Sequence, residues 1–369
     1  MREWKRSEKR RGIMDRREFI KLSGKTIMAA SALSAFSAVH TGCSTTNYRI
    51  DVHHHIVPAD YVDALYSIGI NDSMGKAFPE WTPNASIDVM DALNIQTAIT
   101  SLTTPGVYFH DGIFSSETER IHFAANLART CNELAARMVT DYPGRFGFFA
   151  TLPMPVIDES LSEMAYALDT LNADGVGLFA NYFGTFMGDP VFEELMQELN
   201  RRKAVVFLHP SPPPGTRQAL GIDLEEFFLE APIDTTRAIV NMLITGTLHR
   251  YPDIKWILSH AGGTIPYIAW RLSLMNVFPE KAANMPLGVV TYLRRLYYDT
   301  ALSTSPYAMN ALSSLVKNSH ILFGTDWPFC TTPAALLQVA ELPLLPCFNS
   351  KELNGIEEIN ALELFPGIS

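Results

Sequence analysis

The sequence predicts a (β/α)8 barrel, an α/β fold, with one metal ion bound at the C-terminal ends of its strands. Short runs rich in β-branched and aromatic residues alternate with longer segments of helical periodicity, which is typical of repeated strand–helix units around a parallel sheet. Eight such runs occur, and several end in histidine or aspartate. The predicted strands are residues 49–53, 95–101, 145–151, 175–180, 204–209, 254–260, 295–300 and 320–326.

The length and composition fit a single barrel domain, which we predict over residues 48–369. A barrel commonly takes about 250 residues or more, and no internal repeat or second composition zone indicates a further domain. The chain is 47% hydrophobic and 18% charged, as expected of a protein with a large core. Between the strands, the predicted helices are residues 116–141, 158–172, 190–202, 233–250, 305–317 and 333–341.

Residues 1–43 differ in charge from the rest of the chain. They hold ten Lys/Arg and four acidic residues, a net charge of +6, and because the whole chain carries −10, the remainder carries −16. Such an acidic domain argues against nucleic acid as a partner. The basic segment precedes a weakly apolar run at residues 26–39 that is too short to span a bilayer as an ordinary helix. This order predicts a secretion signal.

The leader also contains two more specific motifs. Asp15-Arg16-Arg17-Glu18-Phe19-Ile20-Lys21-Leu22 resembles a twin-arginine export signal, and Met14 is then the expected start of translation. Val39-His40-Thr41-Gly42-Cys43 resembles a lipoprotein cleavage site, although His40 stands where a leucine is usual, so lipidation of Cys43 and simple cleavage both remain open. We expect export to the periplasm or attachment to the cell envelope. The other cysteines, at positions 131, 330 and 347, form no CxxC pair and indicate no disulfide framework.

The first predicted strand ends in three histidines, within Asp51-Val52-His53-His54-His55. Successive side chains of a strand point to opposite faces, so His53 and His55 should share one face and His54 should take the other. Two neutral imidazoles side by side form half of a metal site. A pair of structural, hydrogen-bonded histidines is the alternative as long as this strand is considered alone.

Three further strands end in residues that can bind a metal. The fifth ends at His209, the sixth at His260 before two glycines, and the eighth at Asp326. The C-terminal ends of barrel strands meet on one face, so these side chains should converge. Three imidazoles and one carboxylate suit Zn²⁺, or another divalent ion such as Mn²⁺, and leave a coordination position open. We predict that the ligands are His53, His55, His209 and Asp326, with His260 as a further ligand or as an acid/base beside bound water.

These strand ends resemble the amidohydrolase superfamily, in particular the branch containing aminocarboxymuconate-semialdehyde decarboxylase. The motifs that carry the resemblance are Asp51-x-His53-x-His55, Leu208-His209-Pro210, Ser259-His260-Ala261-Gly262-Gly263 and Gly324-Thr325-Asp326-Trp327-Pro328. Residues 50–330 also resemble 6-methylsalicylate decarboxylases, notably in segments 143–150 and 199–207. The resemblance implies a mononuclear metal with His260 and Asp326 as catalytic residues. Segment 175–181 lacks the lysine that bridges two metals in binuclear relatives, in agreement with one ion.

The resemblance implies non-oxidative decarboxylation of a small aromatic, hydroxybenzoate-like acid. The same site could instead activate water to hydrolyse a lactone, ester or amide, and a non-catalytic metal-binding surface lipoprotein is the alternative from another class.

No arginine lies between Arg49 and Arg120, where semialdehyde decarboxylases carry one that binds a carboxylate. An arginine at the position of Arg271 can reach a neighbouring subunit in relatives, which implies a homodimer. The candidate substrate-binding residues are Trp81, Phe183, Arg217, Arg237, Arg271 and Trp327.

Overall fold

A computed structural model describes residues 48–110, 112–213, 215–216, 221 and 224–368 of the chain. The predicted leader, with Cys43, and the predicted substrate residue Arg217 lie outside these residues. Eight parallel strands form one sheet in which each strand pairs with the next along the chain, as the sequence predicts. The strands are β1 (Arg49–Ile56), β2 (Ile95–Leu102), β3 (Phe146–Thr151), β4 (Gly175–Phe179), β5 (Val205–His209), β6 (Lys255–Leu258), β7 (Tyr297–Asp299) and β8 (Ile321–Leu322).

The sheet closes into a barrel between β1 and the residues that follow β8. The Val52 amide donates to the Phe323 carbonyl at 3.0 Å, and the His55 amide donates to the Trp327 carbonyl at 2.7 Å. In the other direction, the Asp326 amide donates to the His53 carbonyl at 2.7 Å. The two histidines of β1 and the aspartate after β8 are therefore held in direct register by the backbone.

Helices connect the strands around the outside. The six predicted helices are present, but the one predicted at 233–250 begins earlier, at Glu226, and stops at Ile244, because Gly246 adopts a left-handed φ of 77°. In chain order, the α-helices are α1 (Ala59–Ser67), α2 (Pro83–Ala92), α3 (Glu117–Asp141), α4 (Ile157–Asp169), α5 (Glu193–Arg202), α6 (Glu226–Ile244), α7 (Thr247–Arg250), α8 (Ile265–Ser273), α9 (Pro279–Ala282), α10 (Val289–Leu293), α11 (Pro306–Leu315), α12 (Thr332–Glu341), α13 (Ser350–Asn354) and α14 (Asn360–Leu364). Short 3-10 segments lie at Pro190–Phe192, His260–Gly262, Leu274–Val277, Asn318–His320 and Leu342–Leu344, and a π-helical turn, Gly355–Ile359, joins α13 to α14.

The barrel has an apolar interior that ends in a plug of C-terminal residues. Inward side chains such as Val52 and Phe207 pack with Leu364 and Phe365, which come from α14 and the residue after it. The Phe149 ring lies between the two groups, stacked on Phe207 at 5.2 Å and edge-on to Phe365 at 5.9 Å. A larger core fills the space between strands and helices. The histidines and aspartates therefore sit above a closed apolar floor.

The connections on the other side of the barrel include two short antiparallel hairpins. One pairs Asp72–Ser73 with Lys76–Ala77, and the other pairs Asn181–Tyr182 with Thr185–Phe186. In the described part of the chain, no helix is long and apolar enough to span a membrane. Cys131, Cys330 and Cys347 are free thiols.

Candidate metal centre and active site

A β-bulge in β1 brings the two predicted histidine ligands to the inside of the barrel. Asp51 pairs with Ala98 and His54 pairs with Thr100, so β1 advances three residues while β2 advances two. Because of the extra residue, Val52 can pack into the inner core while His53 and His55 also point inward. His54 faces the other way, as the alternation of the strand predicts.

Asp51 fixes this bulge and ties it to the end of β8. One carboxylate oxygen accepts hydrogen bonds from the backbone amides of His53 and Thr325, each at 3.0 Å. The other oxygen accepts the Thr325 hydroxyl at 2.6 Å and lies 3.2 Å from His54 Nδ1. Asp51 is fully buried, and these contacts satisfy both of its oxygens. It acts as a clamp between the two segments that supply metal ligands.

Two of the predicted substrate residues lie behind the metal site rather than in it. The Trp327 ring packs against the His54 ring, with centroids 5.0 Å apart. His54 Nε2 lies 3.0 Å from Ser86 Oγ, which also accepts a hydrogen bond from Trp81 Nε1 at 2.9 Å. These contacts hold the outward histidine, and through it the backbone of β1.

His53, His55, His209 and Asp326 converge on one point. One ligand atom from each lies within 4.8 Å of the others, and all four residues are buried. The Nε2 atoms of His53 and His55 are 3.1 Å apart. They lie 3.2 and 3.0 Å, respectively, from Asp326 Oδ1. The four predicted ligands thus form one cluster, and the donor set suits a divalent ion.

The outer nitrogens of the three imidazoles have partners of their own. Nδ1 of His53 contacts Asp299 Oδ2 at 2.7 Å, and Nδ1 of His209 contacts the Pro210 carbonyl at 2.9 Å. Nδ1 of His55 lies 3.0 Å from Ser101 Oγ and 3.3 Å from the Ser101 carbonyl. Because these acceptors favour a proton on Nδ1, the Nε2 atom of each ring turns a lone pair into the cluster when that ring is neutral.

Lone pairs this close together need a cation. His209 Nε2 is buried and has no hydrogen-bond partner in the structure. A buried acceptor of this kind is costly unless something binds it. The residues therefore fit a metal ion held by Nε2 of His53, His55 and His209 and by the carboxylate of Asp326.

The surroundings of His55, His209 and Asp326 favour the protonation states that bind metal, and His53 is the exception. Burial lowers the pKa of His55, and burial together with the neighbouring imidazoles lowers that of His209 well below its usual value, so both rings are neutral. Burial opposes ionisation of Asp326, but His53, His260 and His55 outweigh it and hold its pKa well below the ordinary range. For His53, burial is outweighed by Asp299 and Asp326, which raise its pKa to about 10.

A second carboxylate, Asp299 at the end of β7, connects the metal cluster to His260. Its Oδ2 lies 2.7 Å from His53 Nδ1. Its Oδ1 accepts hydrogen bonds from the backbone amides of His260 at 2.8 Å and Ala301 at 3.0 Å. The sequence analysis assigns no role to Asp299. The available signal was its position at the end of predicted strand 7, which is the position that identified Asp326 after strand 8.

His260 lies beside the cluster and contacts Asp326. Its Nε2 is 3.3 Å from Asp326 Oδ2, and its Nδ1 is buried without a hydrogen-bond partner. Both residues adopt left-handed backbone conformations, with φ of 54° and 64°, which are sparsely populated outside glycine and cluster at functional sites. Gly324 lets its backbone pack closely against His53, because a Cβ at position 324 would lie 2.8 Å from the Cβ of His53. The pair can share a proton at the edge of the cluster.

The cluster opens into a cavity of about 280 Å³. His209, His260 and Asp326 line one side of it, and Lys76 and the Phe227, Phe228 and Phe329 rings line much of the rest. Ligand sites for drug-sized molecules run from about 300 to 1,000 Å³, so this cavity suits one small ring. Its apolar walls and few polar groups are typical of a small-molecule site.

The remaining predicted substrate residues lie outside this cavity. Phe183 lines a neighbouring cavity of about 250 Å³ and packs against His110. Arg237 is exposed and lies 3.9 Å from Glu230, and Arg271 is exposed on α8. Arg217 belongs to the residues that the structure does not describe. The sequence analysis does not identify four side chains that line the cavity. They are Lys76, Phe227, Phe228 and Phe329.

Comparison with known proteins agrees with this geometry. The model of the amidohydrolase family matches residues 50–367. The chain belongs to the amidohydrolase family. The 6-methylsalicylic acid decarboxylase of Penicillium expansum is 37% identical over 328 residues, which cover 86% of this chain and 96% of that protein. The predicted family and the decarboxylase-containing branch are thus confirmed.

Solved structures share the fold. A crystal structure named amidohydrolase II superimposes with a TM-score of 0.78 and 30% identity, covering 86% of this chain and 99% of that one. A dihydroxybenzoic acid decarboxylase from Polaromonas sp., with bound manganese and an inhibitor, gives a TM-score of 0.71 at 20% identity, covering 87% and 97%. At that identity the second match supports the barrel alone. The barrel fold, the family match and the cluster of possible metal ligands are therefore consistent with one another.

Metal binding should release a proton near neutral pH. His53 must lose its proton to bind a metal, and because Asp299 and Asp326 raise its pKa to about 10, it is protonated at pH 7 before the ion arrives. We expect about one proton released per ion and an affinity that increases with pH up to about 10. Isothermal titration in buffers of different ionisation enthalpy measures both quantities.

The matched variant is Asp299→Asn, which removes the largest charge that holds the proton on His53. Its proton release at pH 7 should fall, and its metal affinity should drop about tenfold to a hundredfold, as for other groups that hydrogen-bond to a metal ligand. The exposed His122→Ala variant should behave like the parent protein. Equal proton release from the parent and from Asp299→Asn would contradict this interpretation.

Proposed function

We propose that this protein is a metal-dependent, non-oxidative decarboxylase of a small hydroxybenzoate-like acid. The observation that carries the choice of decarboxylation is the 37% identity to a 6-methylsalicylic acid decarboxylase along 96% of that protein. The metal cluster alone would serve a hydrolase equally well, since both reactions need an open Lewis-acid site. The cavity adds support, because its 280 Å³ and its aromatic walls suit a single substituted ring.

The proposal includes one divalent ion per chain. Three imidazoles and a carboxylate suit Zn²⁺, and the bound manganese of the Polaromonas relative supports Mn²⁺ as the alternative. When bound, the ion supplies positive charge that stabilises the anionic substrate and the charge that develops in its ring. Metal analysis of protein purified without chelators distinguishes the two ions.

The chain's own groups supply the proton that the reaction needs. A carbon–carbon bond to CO₂ breaks easily only if the ring carbon has first accepted a proton, because a bare aryl anion is too high in energy. We assign this proton to the pair formed by His260 Nε2 and Asp326 Oδ2, which lie 3.3 Å apart at the cavity wall. The proton bonds to the carbon that carries the carboxylate. The C–C electrons then return to the ring, CO₂ departs, and solvent restores the proton to the pair.

The fixed geometry around this pair contributes to the proposed step. Asp299 accepts a hydrogen bond from the backbone amide of His260. The aromatic walls of the cavity limit the access of water to the reacting carbon. A donor held in place before the reaction needs no reorganisation during it. Asp299 acts by positioning His260, not by contact with the substrate.

Decarboxylation should be measured directly with zinc- or manganese-loaded protein and a panel of hydroxybenzoates and lactones. We expect CO₂ from a hydroxybenzoate such as 6-methylsalicylate. His260→Ala should lower the rate by about a hundredfold or more, the size of a general acid–base contribution. His320→Ala, a remote histidine stacked on Tyr297, is the matched control and should keep the activity.

The other outcomes are equally informative. Release of acid from a lactone or ester without CO₂ from any benzoate would favour the hydrolase. Bound metal with no turnover of either class would favour a non-catalytic metal-binding lipoprotein. CO₂ release that is unaffected in His260→Ala would remove His260 from the proposed proton pair.

We further propose that the protein is exported through the twin-arginine route and resides in the periplasm or on the envelope, with a lipid on Cys43 as the anchored form. The support is the leader sequence, with Arg16 and Arg17 before an apolar pair and a lysine. Substitution of both arginines by lysine should leave precursor in the cytoplasm, as measured by fractionation and by the mass of the mature chain. Full export of that variant would rule out the route.

A homodimer is the last part of the proposal. The outward face of α8 carries Tyr267 and Trp270, which are 86% and 77% exposed, and Tyr307 of α11 is 91% exposed. Exposed apolar patches of this kind often mark a protein interface. Light scattering after gel filtration tests the dimer, and a monomer at micromolar concentration would contradict it.

A further inference from the structure

A single lysine projects into the cavity above the metal cluster. Lys76 lies on the hairpin that follows β1 and α1, and its side chain is partly buried among the cavity walls. Its Nζ donates a hydrogen bond to the backbone carbonyl of Phe329 and lies 5.5 Å from the centre of the Phe227 ring. An ammonium has three N–H donors, so two remain available for another partner.

No acidic side chain among the described residues forms an ion pair with Lys76. Asp326 is the acidic side chain among the described residues that line the cavity, and it is engaged with His53, His55 and His260. A carbonyl oxygen and a ring face attract an ammonium without cancelling its charge. The positive charge is therefore left facing the space where a ligand would bind.

The charges that face the cavity indicate what kind of ligand this is. Lys76 and a divalent ion at the cluster would contribute positive charge there, and Asp326 is the one carboxylate among the described residues that line the cavity, since Asp51 and Asp299 lie buried behind the histidines. Positive charge within aromatic walls matches an aromatic ring that bears an ionised carboxylate.

The other predicted substrate-binding cations among the described residues do not line the cavity. Arg237 and Arg271 are exposed and lie outside the cavity lining, and Lys76 is the one Lys or Arg side chain among the described residues that line it. Its hairpin is tied to the barrel, because Ser73 Oγ donates to the Thr104 carbonyl at 2.7 Å. The ammonium is thus presented by an anchored segment.

We propose that Lys76 binds the carboxylate of an aromatic acid and so selects this class of substrate. The proposal rests on the proposed function and deepens it by naming the group that recognises the acid. A contact with the carboxylate is made in the bound substrate and is weakened as CO₂ departs. Loss of the contact should therefore raise KM much more than it lowers kcat.

The test compares Lys76→Met, which keeps most of the apolar stem, with Lys76→Arg, which keeps the charge. For the hydroxybenzoate that the enzyme decarboxylates, Lys76→Met should raise KM roughly tenfold to a hundredfold, as for a hydrogen bond to a charged group, with kcat within about threefold. Lys76→Arg should recover most of the loss. Lys281→Met is the matched control, because Lys281 lies 5.6 Å from the Phe278 ring but is half-buried outside the cavity lining.

A neutral competitor separates recognition of charge from a structural role. The phenol formed by loss of CO₂ has the same ring but no carboxylate, and its inhibition constant should change less than about twofold in Lys76→Met. Equal weakening for the acid and the phenol would overturn the proposal, as would an unchanged KM for the acid.

The role of Lys76 can be tested even if the protein is not a decarboxylase. If no hydroxybenzoate is decarboxylated, the proposed function fails, and the binding of salicylate and of neutral salicylamide to the metal-loaded protein still tests Lys76. Selective loss of salicylate binding in Lys76→Met would support the assignment, and equal binding by the parent and the variant would contradict it.

Discussion

The contact between the end of β1 and the residues after β8 is the constraint on which the site depends. This contact closes the barrel through backbone hydrogen bonds, and Asp51 fastens it with a carboxylate that reaches both segments. The same contact brings the Nε2 atoms of His53 and His55 within 3.2 Å of Asp326 Oδ1. Closing the barrel therefore brings together three of the four predicted ligands, and β5 supplies the fourth, His209.

The convergence of these groups has an electrostatic consequence. Fully buried lone pairs and a carboxylate have no solvent to satisfy them, so a cation is the partner that relieves their crowding. Asp299 adds negative charge behind His53 and holds the backbone of His260. One buried carboxylate thereby supports both a metal ligand and the proposed proton donor.

The fold and the ligands could be predicted from the sequence because they depend on strong local signals. Strands that end in His209, His260 or Asp326 must meet on one face of a barrel, whatever their separation along the chain. The cavity lining could not be predicted, because it depends on how loops fold over that face. Lys76 reaches the site through a hairpin with no periodic pattern, whereas the exposed Arg237 and Arg271 had the right chemistry but lie outside the lining. Trp81 and Trp327 lie behind His54, and only three-dimensional contacts reveal that role.

The central claim is that one divalent ion is held by three imidazoles and the carboxylate of Asp326. X-ray absorption spectroscopy of the metal-loaded protein, combined with metal analysis, tests it most directly. The predicted result is one ion per chain with imidazole scattering from three histidines at about 2.0–2.1 Å for zinc. The imidazole signal should weaken by one ring in His209→Ala, whose parent residue has an unpartnered buried Nε2. Two ions per chain, or a shell without imidazole, would contradict the account.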